Sequence, residues 1–223
     1  MRRSRIGPVQ PWVALALLIG GTVAGTPIVQ AQSVRGQAYG ALVRGALGTQ
    51  QSAVAVLPAV STDDGAMADD NADGMNVPGM LSTETLTGVT SGSIGDAAAA
   101  QSVATVFSVK LLNGLITASS LTAAVSSTSD GTRATSNDLG STLADLVVNG
   151  VQLTSGDETV SPNTRVALPG VGYVVLNEQV PSGDGVRASG LTVNLVHVVL
   201  QNSLTGAQSG EIILGSASSS AAR

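Results

Sequence analysis

Apolar residues along this chain recur in short runs that alternate with polar ones and stop at Gly, Pro or Asn-Gly, a period of two rather than 3.6. Val, Leu, Ile, Ala and Thr carry the pattern, and 27 glycines punctuate it, which is the texture of a β-protein. Val103, Phe107, Val109 and Leu111 fall at odd positions ahead of Asn113-Gly114, a dipeptide that readily supplies the two positive φ angles of a tight hairpin. Residues 101–127 are therefore expected to form one long hairpin. Asn149-Gly150 repeats the signal between Leu146-Val147-Val148 and Val151-Gln152-Leu153. Further strands are predicted at 35–44, 52–60, 79–90, 164–168, 172–180, 190–201 and 210–218. No segment sustains a helical period, although the Ala-rich stretch 96–104 is suited to a helical turn.

A weak duplication runs through the pattern. Residues 78–87 (PGMLSTETLT) align with 113–122 (NGLITASSLT) at an offset of 35 residues. Two copies at uneven spacing from later Gly-initiated strands favour an antiparallel β-sandwich built from long hairpins, with a β-solenoid as the alternative.

The first 31 residues differ in kind. Arg2, Arg3 and Arg5 precede an apolar run over residues 12–23, and Val29-Gln30-Ala31 has the small residues of a cleavage site. The run is about 12 residues, against the roughly 20 that a bilayer-spanning helix needs, so a cleaved secretory leader is expected and no transmembrane span after cleavage. The mature chain would start at Gln32, with a single β-rich domain at 32–217 and a flexible tail at 218–223. It keeps seven basic residues against 15 acidic ones, a net charge of −8, and the basic residues are scattered singly. That excludes the basic stripe by which nucleic acid is bound. Only Tyr39, Phe107 and Tyr173 remain as aromatics, too few for stacking platforms or an aromatic-lined cleft. Cysteine is absent, so packing and backbone pairing must hold the fold without disulfides.

Residues 61–76 crowd Asp63, Asp64, Asp69, Asp70 and Asp73 between two apolar runs and read as an acidic surface loop. Within it Asp69, Asn71 and Asp73, followed by Gly74, match the first half of a calcium loop. The second half fails, because Met80 stands where a bidentate Glu is needed and Glu84 comes four residues late. Calcium at Asp69, Asn71 and Asp73 is thus the one cofactor the residues suggest, and a solvated loop is the plainer reading.

No catalytic motif is present. His197 is the only histidine, and strict alternation places it on one face with Val193, Leu195 and Val199, as a hydrogen-bonded core residue. One histidine without cysteine cannot build an ordinary zinc site, and neither G-x-S-x-G nor S-x-x-K occurs. A hydrolase using His197 or an acidic pair is the least favoured reading.

The order of several segments is similar to the conserved blocks of the bacterial choice-of-anchor P family. They are residues 76–83 (NVPGMLST), 102–104 leading to 111–118 (LLNGLITA), 146–150 (LVVNG), and 162–164 with 168–172 (LPGVG). Residues 175–179 (VLNEQ), 191–194 with 196–198 (VHV), and 210–217 (GEIILGSA) complete the set. The resemblance spans roughly residues 34–217. It implies an exported bacterial domain that occurs with different surface anchors and has no assigned activity. Residues after Ala217 carry no apolar tail or basic cluster, so surface anchoring is not evident and a secreted or periplasmic location is expected. The expected function is a non-catalytic cell-envelope or extracellular β-domain with a structural or contact role, with a calcium-responsive binding module as the alternative. Self-association or a protein partner would be met at unpaired edge strands.

Overall fold

In the computed structural model, which describes residues 32–45, 48–60 and 65–223, strands follow one another almost without interruption. The expected leader and its cleavage site lie outside the described residues. The chain opens with β1 (Ser33–Gly45) and β2 (Gly48–Val56), followed by β3 (Ala66–Ala72), β4 (Met75–Val77), β5 (Leu81–Thr83) and β6 (Leu86–Ile94). The long strands β7 (Ala98–Leu111) and β8 (Ile116–Ser129) form the expected hairpin. Short pieces come next: β9 (Ala134–Asn137), β10 (Thr142–Ala144), β11 (Val147–Val148), β12 (Val151–Gln152) and β13 (Asp157–Glu158). The chain closes with β14 (Thr164–Leu168), β15 (Gly172–Gly183), β16 (Ala188–Gln201) and β17 (Gln208–Ala222).

These strands form two antiparallel sheets packed face to face, an all-β sandwich. One has six strands in the order β14-β15-β16-β17-β1-β2, and the other has 11 strands centred on β7 and β8. The duplicated segments now have a structural meaning, since they flank β7 on opposite sides. Leu81 and Ile116 both pair with Leu111, and Leu86 and Leu121 both pair with Val106. Between the sheets lies one aliphatic core that includes Leu86, Val106, Leu121, Val193, Ile212 and Leu214, all fully buried. Toward one end of the sandwich the interior turns to hydroxyls. Ser127 bonds Ser219 at 2.7 Å and Ser136 at 2.8 Å, and Ser136 bonds Ser189 at 2.7 Å. Small side chains that satisfy one another let the sheets approach closely there.

One irregularity governs which side chains face the core. Ala53, Asn177 and Gly215 have φ of 55°, 48° and 59°, in the left-handed region, at one level across the six-stranded sheet. Ladder pairing lapses at that level and resumes in the same register, for example Asn194↔Ser216 and then Val196↔Leu214. Across this level the strands change the parity of their inward face, including β1 and β16, which carry no left-handed residue of their own. Ala38 and Ala41 are both core residues, as are Val193 with Val196 and Ala217 with Leu214. Ser108, at φ 53°, does the same in β7, so Val106 and Val109 are buried while Phe107 is 45% exposed. The odd-position pattern read across residues 103–111 thus breaks at Ser108. Phe107→Ala is expected to cost well under 1 kcal/mol and Val106→Ala about 2 kcal/mol, compared by urea denaturation of the two variants.

Several expectations are corrected. Residues 61–76 are not one acidic loop, because residues 66–72 form β3 and pair with β6 from Ala66↔Gly92 to Ala72↔Leu86. Carboxylates are tolerated there because β3 is an edge strand with solvent on one side. Residues 218–222 are not a flexible tail but the end of β17, paired with both β1 and β16, with Ser219 and Ala221 buried. Ser and Ala are small enough to lie between closely spaced sheets. Residues 98–104 are strand rather than helical turn, their alanines packed inward at Ala98, Ala100 and Ala104. Asn113-Gly114 belongs to a wider turn in which Leu112, Asn113 and Gly114 all have positive φ, whereas Asn149-Gly150 makes the tight turn expected of it.

Candidate functional site

The change of parity carries His197 to the outer face of the six-stranded sheet, opposite to Val193. This corrects the expectation that it shares a face with Val193 and Leu195. On that face a row of polar side chains crosses four adjacent strands, beside the level where pairing lapses. Glu178 of β15 lies opposite Asn194 of β16, Asn194 opposite Ser216 of β17, and Ser216 opposite Tyr39 of β1. Ser216 Oγ donates to Asn194 Oδ1 at 2.7 Å, and Asn194 Nδ2 donates to Glu178 Oε2 at 2.7 Å, with Tyr39 beside Ser216 at the end of the row.

His197 Nδ1 meets the same Glu178 oxygen at 2.9 Å, and its Nε2 faces Glu211 Oε2 at 3.4 Å. Glu211 is held from its other side by the Arg44 guanidinium. Nε2 is buried and makes no hydrogen bond within normal distance. The hydrogen bond to Glu178 raises the His197 pKa above its ordinary value, outweighing burial, and the Glu211 charge adds to the rise. Glu178 is correspondingly held below the usual carboxylate range, chiefly by the His197 bond. Burial lifts the Tyr39 hydroxyl above its usual value. Further along the same face Arg165 of β14 stacks on Tyr173 of β15, its guanidinium carbon 3.6 Å from the centre of the ring.

Chemically the cluster is an ion network rather than a nucleophile–base pair. A base of the triad kind uses one ring nitrogen for an orienting carboxylate and the other for a hydroxyl or thiol. Here both nitrogens of His197 face carboxylates. The candidate calcium residues are placed elsewhere. Asp69 and Asn71 lie on β3 opposite Val89 and Thr87, and Asp73 follows in the turn to β4. A calcium loop wraps its ion, whereas Asp69 and Asn71 lie on an extended strand. Asp70, between them, accepts the Val54 amide of β2 at 2.8 Å and so covers one backbone donor of the neighbouring edge. Among the described residues no group of three or more His, Cys, Asp or Glu side chains is placed to hold a metal ion. No helix among them is long and apolar enough to cross a membrane.

Glu178, Glu211, Arg44, Asn194, Ser216 and Tyr39 are not singled out by any sequence motif. The available signal is a charge inside an otherwise apolar strand, as in residues 174–180 (VVLNEQV) and 210–214 (GEIIL). The chain matches no family model, no curated protein and no solved structure.

Proposed function

We propose that this chain is a non-catalytic β-domain of the bacterial cell envelope or extracellular space, with a structural or contact role exercised at its sheet edges. The observation that carries this reading is the architecture of the six-stranded sheet, whose terminal strands β14 and β2 each pair on one side only. Such strands present backbone groups to another chain, apart from the Val54 amide that Asp70 accepts and the Ala167 carbonyl to which Asn149 donates. That both ring nitrogens of His197 face carboxylates supports the non-catalytic part, and the family-like order of residue blocks supports export. Contact by strand addition suits a surface poor in aromatics, because the affinity comes from main-chain hydrogen bonds rather than from side-chain anchors. Light scattering of the purified mature chain over a wide concentration range is expected to show mass rising with concentration. A monomer throughout would remove self-association as the contact.

A further inference from the structure

We propose that His197 is a protonation-dependent clamp on the outer face of the six-stranded sheet: as an imidazolium between Glu178 and Glu211 it ties β15, β16 and β17 together, and without its proton the clamp opens. The geometry is that of a closed charge set. Two carboxylates, Glu178 from β15 and Glu211 from β17, face the ring from opposite sides, and Arg44 from β1 reaches Glu211. Tyr39 of β1 and Asn194 of β16 complete the surroundings as neutral groups. Arg165 of β14 lies beyond Val175 from the ring and is engaged with Tyr173. With His197 charged, two cations meet two anions. With it neutral, one negative charge is left uncompensated.

The immediate cross-strand neighbours make that imbalance costly. His197 pairs with Val175 on one side and Ile213 on the other, and Ile213 pairs with Leu42. Ile213 and Leu42 are buried, so aliphatic side chains rather than water flank the ring. A charge on this half-buried ring is favoured by pairing, and the partners are the two glutamates. Nε2, which has no other partner, would then donate toward Glu211.

The sign of the pH dependence follows. His197 has a folded pKa raised above the ordinary 6.5, so its contribution is fully present below about 6.5 and is lost as pH rises through the folded value. Glu178 has a folded pKa below the ordinary 4.5, so its contribution is present above 4.5 and is lost as pH falls through the folded value. Stability from the cluster is thus greatest between these limits.

A single histidine makes the test unambiguous. The imidazole proton resonances of the full mature chain, followed against pH by NMR, are expected to titrate above 6.5, and Glu178→Gln is expected to bring the midpoint down. Thermal unfolding midpoints of the unsubstituted chain are expected to fall as pH rises above about 6.5 more steeply than those of His197→Gln. A titration at or below 6.5, an unmoved midpoint in E178Q, or parallel profiles for the unsubstituted chain and H197Q would each overturn the proposal. Should H197Q fail to fold, the titrations of the unsubstituted chain and of E178Q decide it.

Discussion

Leu121→Ala is expected to destabilise the domain by about 3 kcal/mol, and to lower its thermal midpoint by roughly 6–12 °C for a chain of this size. Leu121 is fully buried and joins three parts of the sandwich. It pairs with Val106 of β7 and Leu143 of β10, and its Cβ lies 3.6 Å from where a Cβ on Gly215 of the facing sheet would be. Truncation removes the branched end of the side chain from between Val106 and Leu143, while Cβ, which alanine keeps, already stands against Gly215 of the facing sheet, so a void is left in the core. Leu204→Ala is the control. That side chain is 93% exposed, and its loss is expected to cost less than about 0.5 kcal/mol. Urea denaturation of both variants against the unsubstituted chain checks the contrast.

Gly36→Ala should be nearly as damaging, for the opposite reason. A Cβ at Gly36 would lie 2.0 Å from Thr90 Oγ1 and 2.9 Å from Ser102 Oγ, inside the hydroxyl-rich end of the sandwich. Neither oxygen is free to move aside. Thr90 Oγ1 bonds Ser102 Oγ at 2.9 Å, and Ser102 Oγ donates to the Ser218 carbonyl at 2.7 Å. Overpacking of this kind costs about 2–3 kcal/mol. Thr90→Ala alone is expected to cost about 1 kcal/mol for the hydrogen bonds it removes. Combined, the two changes should cost about 1–2 kcal/mol less than their sum, because the nearest remaining Thr90 atom, Cβ, would be 3.3 Å away. A double-mutant cycle measured by denaturant unfolding tests this directly. Strict additivity would show that the two sheets separate freely at this end.

Local pattern carries the fold a long way. The alternation and the turn dipeptides are enough to place β14 at 164–168 and the β7–β8 hairpin around residues 112–114. Face assignment fails where a single left-handed residue changes the parity of a strand. Nothing in the composition around Ser108 or Asn177 announces that conformation, which is stabilised by the packing of whole strands. The same lapse displaces His197 from the face that alternation assigns to it. Acidic β3 and the serine-rich end of β17 escape a reading that equates polarity with loop. An edge strand tolerates charge, and a narrow interior tolerates hydroxyls that bond each other. The polar cluster is the least legible feature. Its members come from residues 39, 44, 178, 194, 197, 211 and 216, and only the register of four strands brings them side by side.

The first and last strands of the described chain, β1 and β17, are neighbours inside the six-stranded sheet, paired from Ser33↔Ala222 to Arg44↔Glu211. Because synthesis proceeds from the N-terminus, β1 must wait for residues 208–222 before its central partner exists. Closing so long a loop is entropically expensive and belongs to the slow, non-local class of folding events. Until then β1 lacks the strand that joins it to β14, β15 and β16, and the six-stranded sheet stands as two separate halves.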